Sequence, residues 1–331
     1  MAKYTVAQID AFRDLEGLMA AALAKADAEL ITNACKTDDE VVAFAGQAHG
    51  MICTAYKTGE GVFSRCPNLK VIVRTGIGFE NINLESATRH GVVVCNVTDY
   101  GINEVATHAV ALLLALNRKL ILHNNAARRG ERASLGPTGK LVGETLGLVA
   151  FGNIAQAVAV RAQAFGLNVI ASDPYADPAL AKAKGVELTS LDDLMRRADY
   201  VSVHAPFNEE TRGIVGAHEL SLMKPTAYLV TTCRGGVVSE KALYDALKAG
   251  QIAGAGVDVW DPEPVRKDNP LLAFENVIAT PHSAFYSDAS IRLLYQRTGE
   301  AAADVLQGYL PLSVVNRDVL QKVALSKHLQ R

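Results

Sequence analysis

Three polar residues follow three successive apolar stretches near the C-terminus of the chain. Arg234 comes after TAYLVTTC, Glu263 after AGAGVDVWDP and His282 after NVIATP. Ligands of open α/β sheets bind beyond the carboxyl ends of the strands, so residues in such positions are candidates for one shared site. A histidine can carry a proton near neutral pH, a carboxylate stabilises its charged form, and arginine binds a planar carboxylate through two nitrogen atoms. These are the groups needed to interconvert a 2-keto acid and a 2-hydroxy acid.

Each of these residues also has a structural interpretation when taken alone. His282 could be a loop histidine with satisfied hydrogen bonds, Glu263 an acidic residue beside prolines at a helix start, and Arg234 a partner in a surface ion pair. Their common position at the ends of neighbouring strands favours a shared site. Five other histidines are expected to be surface or packing residues: His49, His90, His108, His123 and His218.

The stretch AFGNIA stands where dinucleotide-binding proteins carry G-x-G-x-x-G/A between a strand and a helix. Gly152 keeps the central glycine, which lets a pyrophosphate approach the backbone, whereas Ala150 departs from the pattern. Asp173 lies about 20 residues further on, where an acid binds the ribose hydroxyls and repels a 2′-phosphate. The stretch therefore predicts NAD rather than NADP. The structural alternatives are close packing at the junction and, for Asp173, a turn before Pro174.

The elements that position these residues alternate between strands and helices, which is typical of parallel sheets covered on both faces. In the first third, strands are predicted at YTVAQI, AELITNA, GMICTAY, LKVIVRT and VVVCNV, with helices at DLEGLMAAALAKA, DDEVVAFAGQA and LESATRHG. One long helix is predicted from Asn103 to Arg128. A second strand series runs from TLGLVAF to NVIATP, through NVIASD, YVSVHAP, AYLVTT and AGAGVDVW, and a last helix from Asp288 to Gln307.

This order predicts two Rossmann-like or flavodoxin-like α/β domains with parallel sheets and an active site in the cleft between them. Residues 1–101 and 288–331 are expected to form a discontinuous substrate-binding domain. Residues 102–287 are expected to form the NAD-binding Rossmann domain.

Composition narrows the functional classes. Of 331 residues, 49% are hydrophobic and 21% charged, and the net charge of −2 gives no broad basic field for nucleic acid. The five cysteines show no metal-type spacing, which predicts buried thiols in a reducing compartment and no metal site. The N-terminus resembles no signal peptide, and Asn117, Arg118 and Lys119 interrupt the most apolar helix. A cytoplasmic protein without a membrane or nucleic-acid partner is predicted.

The chain resembles the D-isomer-specific 2-hydroxyacid dehydrogenases over nearly its whole length. The matching stretches are RTGIGFENIN, GLVAFGNIAQAVA, SVHAPFNEETRGIV, MKPTAYLVTTCRGGVVSEKAL, GAGVDVWDPEP and TPHSAFYSDAS. RTGIGFENIN and TPHSAFYS are most similar to the branch that contains the C-terminal-binding-protein corepressors and their bacterial relatives. The resemblance implies NAD as the cofactor and a homodimer.

The resemblance also implies roles for single residues. His282 would be the general acid/base, Glu263 its partner, and Arg234 the residue that binds the substrate's carboxylate and carbonyl. The substrate would also meet Arg74, the backbone N–H groups of Ile77 and Gly78, and the ring of Phe285. The residues expected to contact the cofactor are Gly152, Asn153, Ile154, Asp173, His204, Ala205, Pro206, Thr232, Cys233 and Asp258, the last at the nicotinamide end.

The predicted function is that of an NAD-dependent D-2-hydroxyacid dehydrogenase. Phosphoglycerate dehydrogenases carry an additional arginine where this chain has Thr54, so a small or moderately apolar keto acid is expected, such as glyoxylate, hydroxypyruvate, pyruvate or a longer homologue. The alternative is an NAD(H)-sensing interaction platform of the corepressor type with little turnover. Steady turnover of 2-keto acids with NADH would favour the enzyme, and tight NADH binding without turnover would favour the sensor.

Overall fold

The chain folds into two compact units, each built on a parallel sheet. The computed structural model describes residues 2–10, 14–131 and 138–327. The first unit contains Met1–Tyr100 and Ser287–Arg331, and the second contains Gly101–Tyr286. The predicted domain boundaries lie one residue further along the chain at both junctions. The predicted fold class, two parallel-sheet α/β domains, is confirmed.

The first unit contains a five-stranded parallel sheet in the order β2-β1-β3-β4-β5. Its strands are β1 Tyr4–Gln8, β2 Ala28–Thr32, β3 Gly50–Cys53, β4 Val71–Arg74 and β5 Val93–Asn96. The central strands are nearly continuous apolar runs because helices cover both faces of a parallel sheet. The helices are α1 Leu18–Ala24, α2 Asp38–Ala45, α3 Glu60–Phe63, α4 Leu84–Arg89 and, from the other end of the chain, α12 Asp288–Leu306; short 3-10 turns cover Leu15–Gly17 and Arg317–Gln321.

Helix α12 packs closely on α1 within this unit. A Cβ atom at Gly299 would lie 2.6 Å from the carbonyl oxygen of Met19 and 2.8 Å from the Cβ of Ala22. Only glycine therefore fits at this contact. The close approach joins the C-terminal helix to the sheet formed by the first third of the chain.

The second unit contains a seven-stranded parallel sheet in the order β12-β11-β10-β9-β6-β7-β8. Its strands are β6 Thr145–Val149, β7 Asn168–Ser172, β8 Glu187–Leu188, β9 Tyr200–Val203, β10 Tyr228–Thr231, β11 Gly254–Val257 and β12 Val277–Ala279. Its helices are α5 Ile102–Asn117, α6 Leu120–Arg128, α7 Asn153–Ala164, α8 Pro178–Ala183, α9 Leu191–Arg197, α10 Ala217–Leu222 and α11 Glu240–Lys248, with a 3-10 turn at Pro270–Ala273. The strand order reverses between β6 and β9, and ligands of such sheets bind at this switch point.

The prediction of one helix from Asn103 to Arg128 is wrong. The segment forms two helices, α5 and α6, bent by 60° at a break where Lys119 takes a left-handed backbone with φ of 49°. The Asn117 side chain is buried and donates to the Tyr200 hydroxyl at 2.6 Å, so the end of α5 is anchored and turned out of line.

Two further expectations concern the thiols and the apolar helices. All five cysteines are free; Cys35, Cys53, Cys66 and Cys95 are buried and Cys233 is half-buried. Within the described ranges, no single helix has the length and hydrophobicity to cross a membrane, although α5 and α6 pass that test jointly as a bent pair.

Candidate active site

The three candidate catalytic residues follow three adjacent strands of the second unit. Arg234, Glu263 and His282 come after β10, β11 and β12, which are neighbours in the sheet. Nδ1 of His282 lies 2.6 Å from Oε2 of Glu263, and Oε1 of Glu263 accepts the backbone N–H of Trp260 at 3.1 Å. The side chains of His282 and Glu263 remain 32% and 36% exposed, so a ligand can reach the pair.

The charge of Glu263 is stabilised by its neighbours. Burial alone would raise the pKa of its carboxyl, but the hydrogen bond and charge of His282, the Trp260 N–H and the charge of Arg234 together hold that pKa below its ordinary value. Glu263 therefore stays ionised at neutral pH. An ionised carboxylate at Nδ1 accepts the hydrogen on that atom and leaves Nε2 as the atom that can exchange a proton with a ligand.

The turn that carries His282 is held by Asp258, which directly follows β11. His282 has a left-handed backbone with φ of 54°, and its N–H donates to the Asp258 carbonyl at 2.8 Å. The Asp258 carboxylate is fully buried and accepts the N–H groups of Ser283 at 2.9 Å and Ala284 at 3.0 Å, and the Thr280 hydroxyl at 2.5 Å. Sequence reasoning assigned Asp258 to the cofactor and missed these contacts, which lie more than 20 residues along the chain.

The junction after β6 has the geometry of a phosphate site. Gly152 precedes the twelve-residue helix α7, and a Cβ added to it would meet no atom within 4 Å. The N-terminus of a helix with such open backbone favours an anion. Ala150 has φ of 70°, the left-handed conformation that the first glycine of the fingerprint would adopt without strain. Asp173 accepts the Phe151 N–H at 2.8 Å, so it also ties the end of β7 to this turn.

The other candidate cofactor residues stand at the neighbouring strand ends. Asn153 and Ile154 begin α7; His204, Ala205 and Pro206 follow β9; Thr232 and Cys233 follow β10. The His204 ring lies 2.8 Å from the Ser202 hydroxyl, and burial lowers its pKa to about 4. It is therefore neutral near pH 7 and unsuited to carry the proton. Burial raises the pKa of the Cys233 thiol, so this residue is not a thiolate nucleophile near neutral pH.

The substrate-side candidates Arg74, Ile77 and Gly78 lie in the first unit, at and beyond the end of β4. The Arg74 guanidinium donates to the Thr75 carbonyl at 3.1 Å and passes directly over Gly76, where an added Cβ would lie 1.6 Å from Nη1. A side chain at position 76 would therefore clash with the guanidinium, and glycine leaves room for it. Among the described residues, the N–H groups of Ile77 and Gly78 meet no acceptor, whereas the Ile77 carbonyl accepts from the Asn96 side chain.

An open helix N-terminus at the switch point of a sheet, with a histidine–carboxylate pair and an arginine after other strands of the same sheet, is typical of nicotinamide-linked dehydrogenases. Comparison with known proteins agrees with that class. The family model described as D-isomer specific 2-hydroxyacid dehydrogenase, NAD binding domain, matches residues 110–284.

Individual relatives extend the match over most of the chain. It is 39% identical to a D-3-phosphoglycerate dehydrogenase of Methanocaldococcus jannaschii over 82% of its length, but spans only 52% of that relative. It is 37% identical to a glyoxylate reductase of Korarchaeum cryptofilum, covering 78% of this chain and 80% of that protein. The NAD-complexed D-isomer specific 2-hydroxyacid dehydrogenase of Lactobacillus delbrueckii ssp. bulgaricus superposes with a TM-score of 0.79 at 26% identity, over 94% of this chain and 99% of that one.

The chain belongs to the D-isomer-specific 2-hydroxyacid dehydrogenase family. The predicted cofactor, NAD, is confirmed by the match to the family's NAD-binding domain.

Proposed function

We propose that this protein reduces a small 2-keto acid to the D-2-hydroxy acid with NADH, and catalyses the reverse reaction. The observation that carries the proposal is the contact of 2.6 Å between His282 and Glu263, with Arg234 on the adjacent strand end. That arrangement supplies a proton donor, a group that stabilises its charged form and a cation for a carboxylate.

Each residue has one task in this proposal. Glu263 binds the hydrogen on Nδ1 of His282, so Nε2 donates its proton to the carbonyl oxygen of the keto acid. Arg234 binds the substrate's carboxylate and polarises the carbonyl. When bound, NADH would supply the hydride that reduces the carbonyl carbon. The N–H groups of Ile77 and Gly78, with Arg74, are further proposed contacts for a substrate carboxylate.

The cofactor contacts are also part of the proposal. The open backbone at Gly152 and the N-terminus of α7 would accept the pyrophosphate, because helix N-termini bind anions. Asp173 would bind the adenosine ribose and disfavour NADPH. Asp258 would stand at the nicotinamide end, and His204 to Pro206 with Thr232 and Cys233 would line the crevice.

The far end of the substrate is proposed to be uncharged. The Phe285 ring stands edge-on to the His282 ring with centroids 6.1 Å apart, which places an apolar surface beside the acid/base. Thr54 replaces the arginine that phosphoglycerate dehydrogenases use for phosphate. The similarity to a D-3-phosphoglycerate dehydrogenase favours instead a substrate with a charged phosphate at that end. Within the family, RTGIGFENIN and TPHSAFYS support placement near the bacterial relatives of the C-terminal-binding-protein branch.

We further propose a homodimer. Helix α6 exposes 53% of Leu120 and 45% of Ile121, beside a depression lined by Leu116, Leu122 and Tyr228. Apolar surface of this kind is more often covered than left in water. Light scattering should give twice the chain mass of 35.3 kDa, and Ile121→Glu should lower it. A monomeric wild type, or a mass that Ile121→Glu leaves unchanged, would contradict the dimer or its position.

A panel of 2-keto acids assayed with NADH tests the proposed function. Glyoxylate, hydroxypyruvate, pyruvate and longer apolar homologues are expected to react at least about tenfold better in kcat/KM than 3-phosphohydroxypyruvate. A tenfold preference is only about 1.4 kcal/mol, less than the cost of an unpaired dianion. Preference for the phosphorylated substrate would refute the substrate proposal. Tight NADH binding without turnover of any member would refute the enzyme and favour the NAD(H) sensor.

A further inference from the structure

His108 of α5 lies within hydrogen-bond distance of the turn that carries His282. Nε2 of His108 lies 3.1 Å from Oγ1 of Thr280 and 3.7 Å from Oδ1 of Asp258. Its side chain is 25% exposed, whereas the Asp258 carboxylate is fully buried. His108 was expected from the sequence to be a surface or packing residue. The structure instead places it at the outer end of a chain of bonds that leads to the acid/base.

The number of hydrogens fixes the direction of these bonds. The Thr280 hydroxyl has a single hydrogen and donates it to Oδ1 of Asp258, at 2.5 Å. The Thr280 oxygen must then accept from His108, and Nε2 of His108 must carry a hydrogen. His108 is therefore either the Nε2–H tautomer or the imidazolium. In both forms it presents an N–H to Thr280 and a positive dipole or charge to the Asp258 carboxylate.

The turn needs such support because its conformation is costly. A left-handed backbone is strained at a residue other than glycine, and His282 adopts it with φ of 54°. Asp258 offsets that cost through its bonds to residues 282–284, and it can do so only if its own buried charge is fully bonded. Thr280 is the one side-chain donor to that carboxylate among the described residues within hydrogen-bond distance.

We propose that His108 is a positioning residue for proton transfer. It binds the Thr280 hydroxyl, directs it onto Asp258, and so keeps the turn at residues 280–284 in the conformation that brings His282 to Glu263. The kinetic part of this inference rests on the proposed keto-acid reductase, because it concerns the same histidine. His108 itself need not touch the substrate.

Two substitutions at His108 separate hydrogen bonding from bulk. His108→Leu removes the donor, whereas His108→Gln keeps an N–H near the place of Nε2. We expect kcat for keto-acid reduction to fall at least about tenfold in His108→Leu, since small misplacements of reacting groups are costly. NADH affinity should stay within about threefold of wild type, and His108→Gln should recover most of the rate. His218→Leu, the same change at a histidine of α10 that is 63% exposed, is the matched control and should react as wild type does.

A wild-type kcat in His108→Leu would overturn the proposal. Equal losses in His108→Leu and His108→Gln would also overturn it, because the donor would then be irrelevant. A double-mutant cycle with Thr280→Val tests the route: in that background His108→Leu should cost less than about threefold, since the bond it breaks is already gone. Additive losses would mean that His108 does not act through Thr280.

A second measurement does not depend on turnover. Nitrogen-15 NMR of the imidazole rings in the wild-type protein should show a hydrogen on Nε2 of His108, and Thr280→Val should change the shifts of both His108 and His282. The Nδ1–H tautomer at His108, or a His282 signal that Thr280→Val leaves unchanged, would overturn the inference. If the wild type reduced no keto acid, the proposed function would fail and this spectrum would still decide the role of His108.

Discussion

Replacing Glu263 by glutamine should shift the pH profile of keto-acid reduction and lower its plateau. The two side chains touch at 2.6 Å but are each about a third exposed, so water screens part of their attraction. An opposite charge at contact distance favours the charged form of both partners, and the lowered pKa of Glu263 reflects this contact.

The sign of the shift follows from the proton that reduction consumes. His282 must be protonated to donate, and Glu263, whose pKa is lowered, stays ionised throughout the assay range. Without that charge the protonated ring of His282 is less favoured, so the alkaline limb of kcat/KM should move to lower pH.

The maximal kcat/KM should also fall, because glutamine at position 263 favours a different tautomer of the His282 ring. Its amide oxygen can replace the oxygen that accepts from Trp260, which turns the NH2 group toward Nδ1 of His282. A donor at Nδ1 opposes a hydrogen there and so opposes the doubly protonated ring, which should cost at least about tenfold at the optimum.

The assay is kcat/KM for the best keto acid between pH 5 and 10, in wild type, Glu263→Gln and the control Glu209→Gln. Glu209 is 92% exposed and pairs only loosely with Arg212, so its loss of charge should leave the profile unchanged. An alkaline limb at the same pH in Glu263→Gln and wild type would refute the reasoning. A limb that moves equally in Glu209→Gln would show a general charge effect.

Three other predictions concern the cofactor turn and the substrate pocket. Ala150→Gly should raise the free energy of unfolding by about 0.5–1 kcal/mol, because relief of left-handed strain of about 1–2 kcal/mol exceeds the added chain entropy of about 0.4–1 kcal/mol. The control Ala111→Gly, at an exposed position of a helix, should lower the free energy of unfolding. Denaturant unfolding curves that show a lower free energy of unfolding in both variants would contradict the strain at Ala150. Asp173→Ala should lower the ratio of kcat/KM with NADH to kcat/KM with NADPH. Equal values with both cofactors in the wild type would mean that Asp173 does not discriminate at the ribose. Phe285→Ala should penalise longer apolar keto acids more than glyoxylate, and a uniform loss would leave Phe285 as a packing residue.

The fold could be predicted from sequence because most strands are apolar runs bounded by turn residues. Strand β8, Glu187–Leu188, was not predicted since two residues show no periodicity. The break at Lys119 escaped prediction because the bond from Asn117 to Tyr200 joins residues far apart in sequence.

The site could be predicted only where it follows strand ends. Arg234, Glu263 and His282 were predicted as candidates because each follows an apolar stretch, and the departure at Ala150 was visible in the fingerprint. The roles of Asp258 and Thr280 in the His282 turn depend on a conformation that no local pattern reveals. His108 lies 172 residues from Thr280, and no spacing rule connects them.

The most direct test of the central claim is the single-turnover rate of keto-acid reduction in His282→Ala compared with wild type, with NADH bound to both. A positioned acid/base contributes about 10²–10⁴-fold, so the rate should fall by that factor while the Kd for NADH stays within about threefold. A variant that keeps more than about a tenth of the wild-type rate would remove His282 from the mechanism and contradict the account.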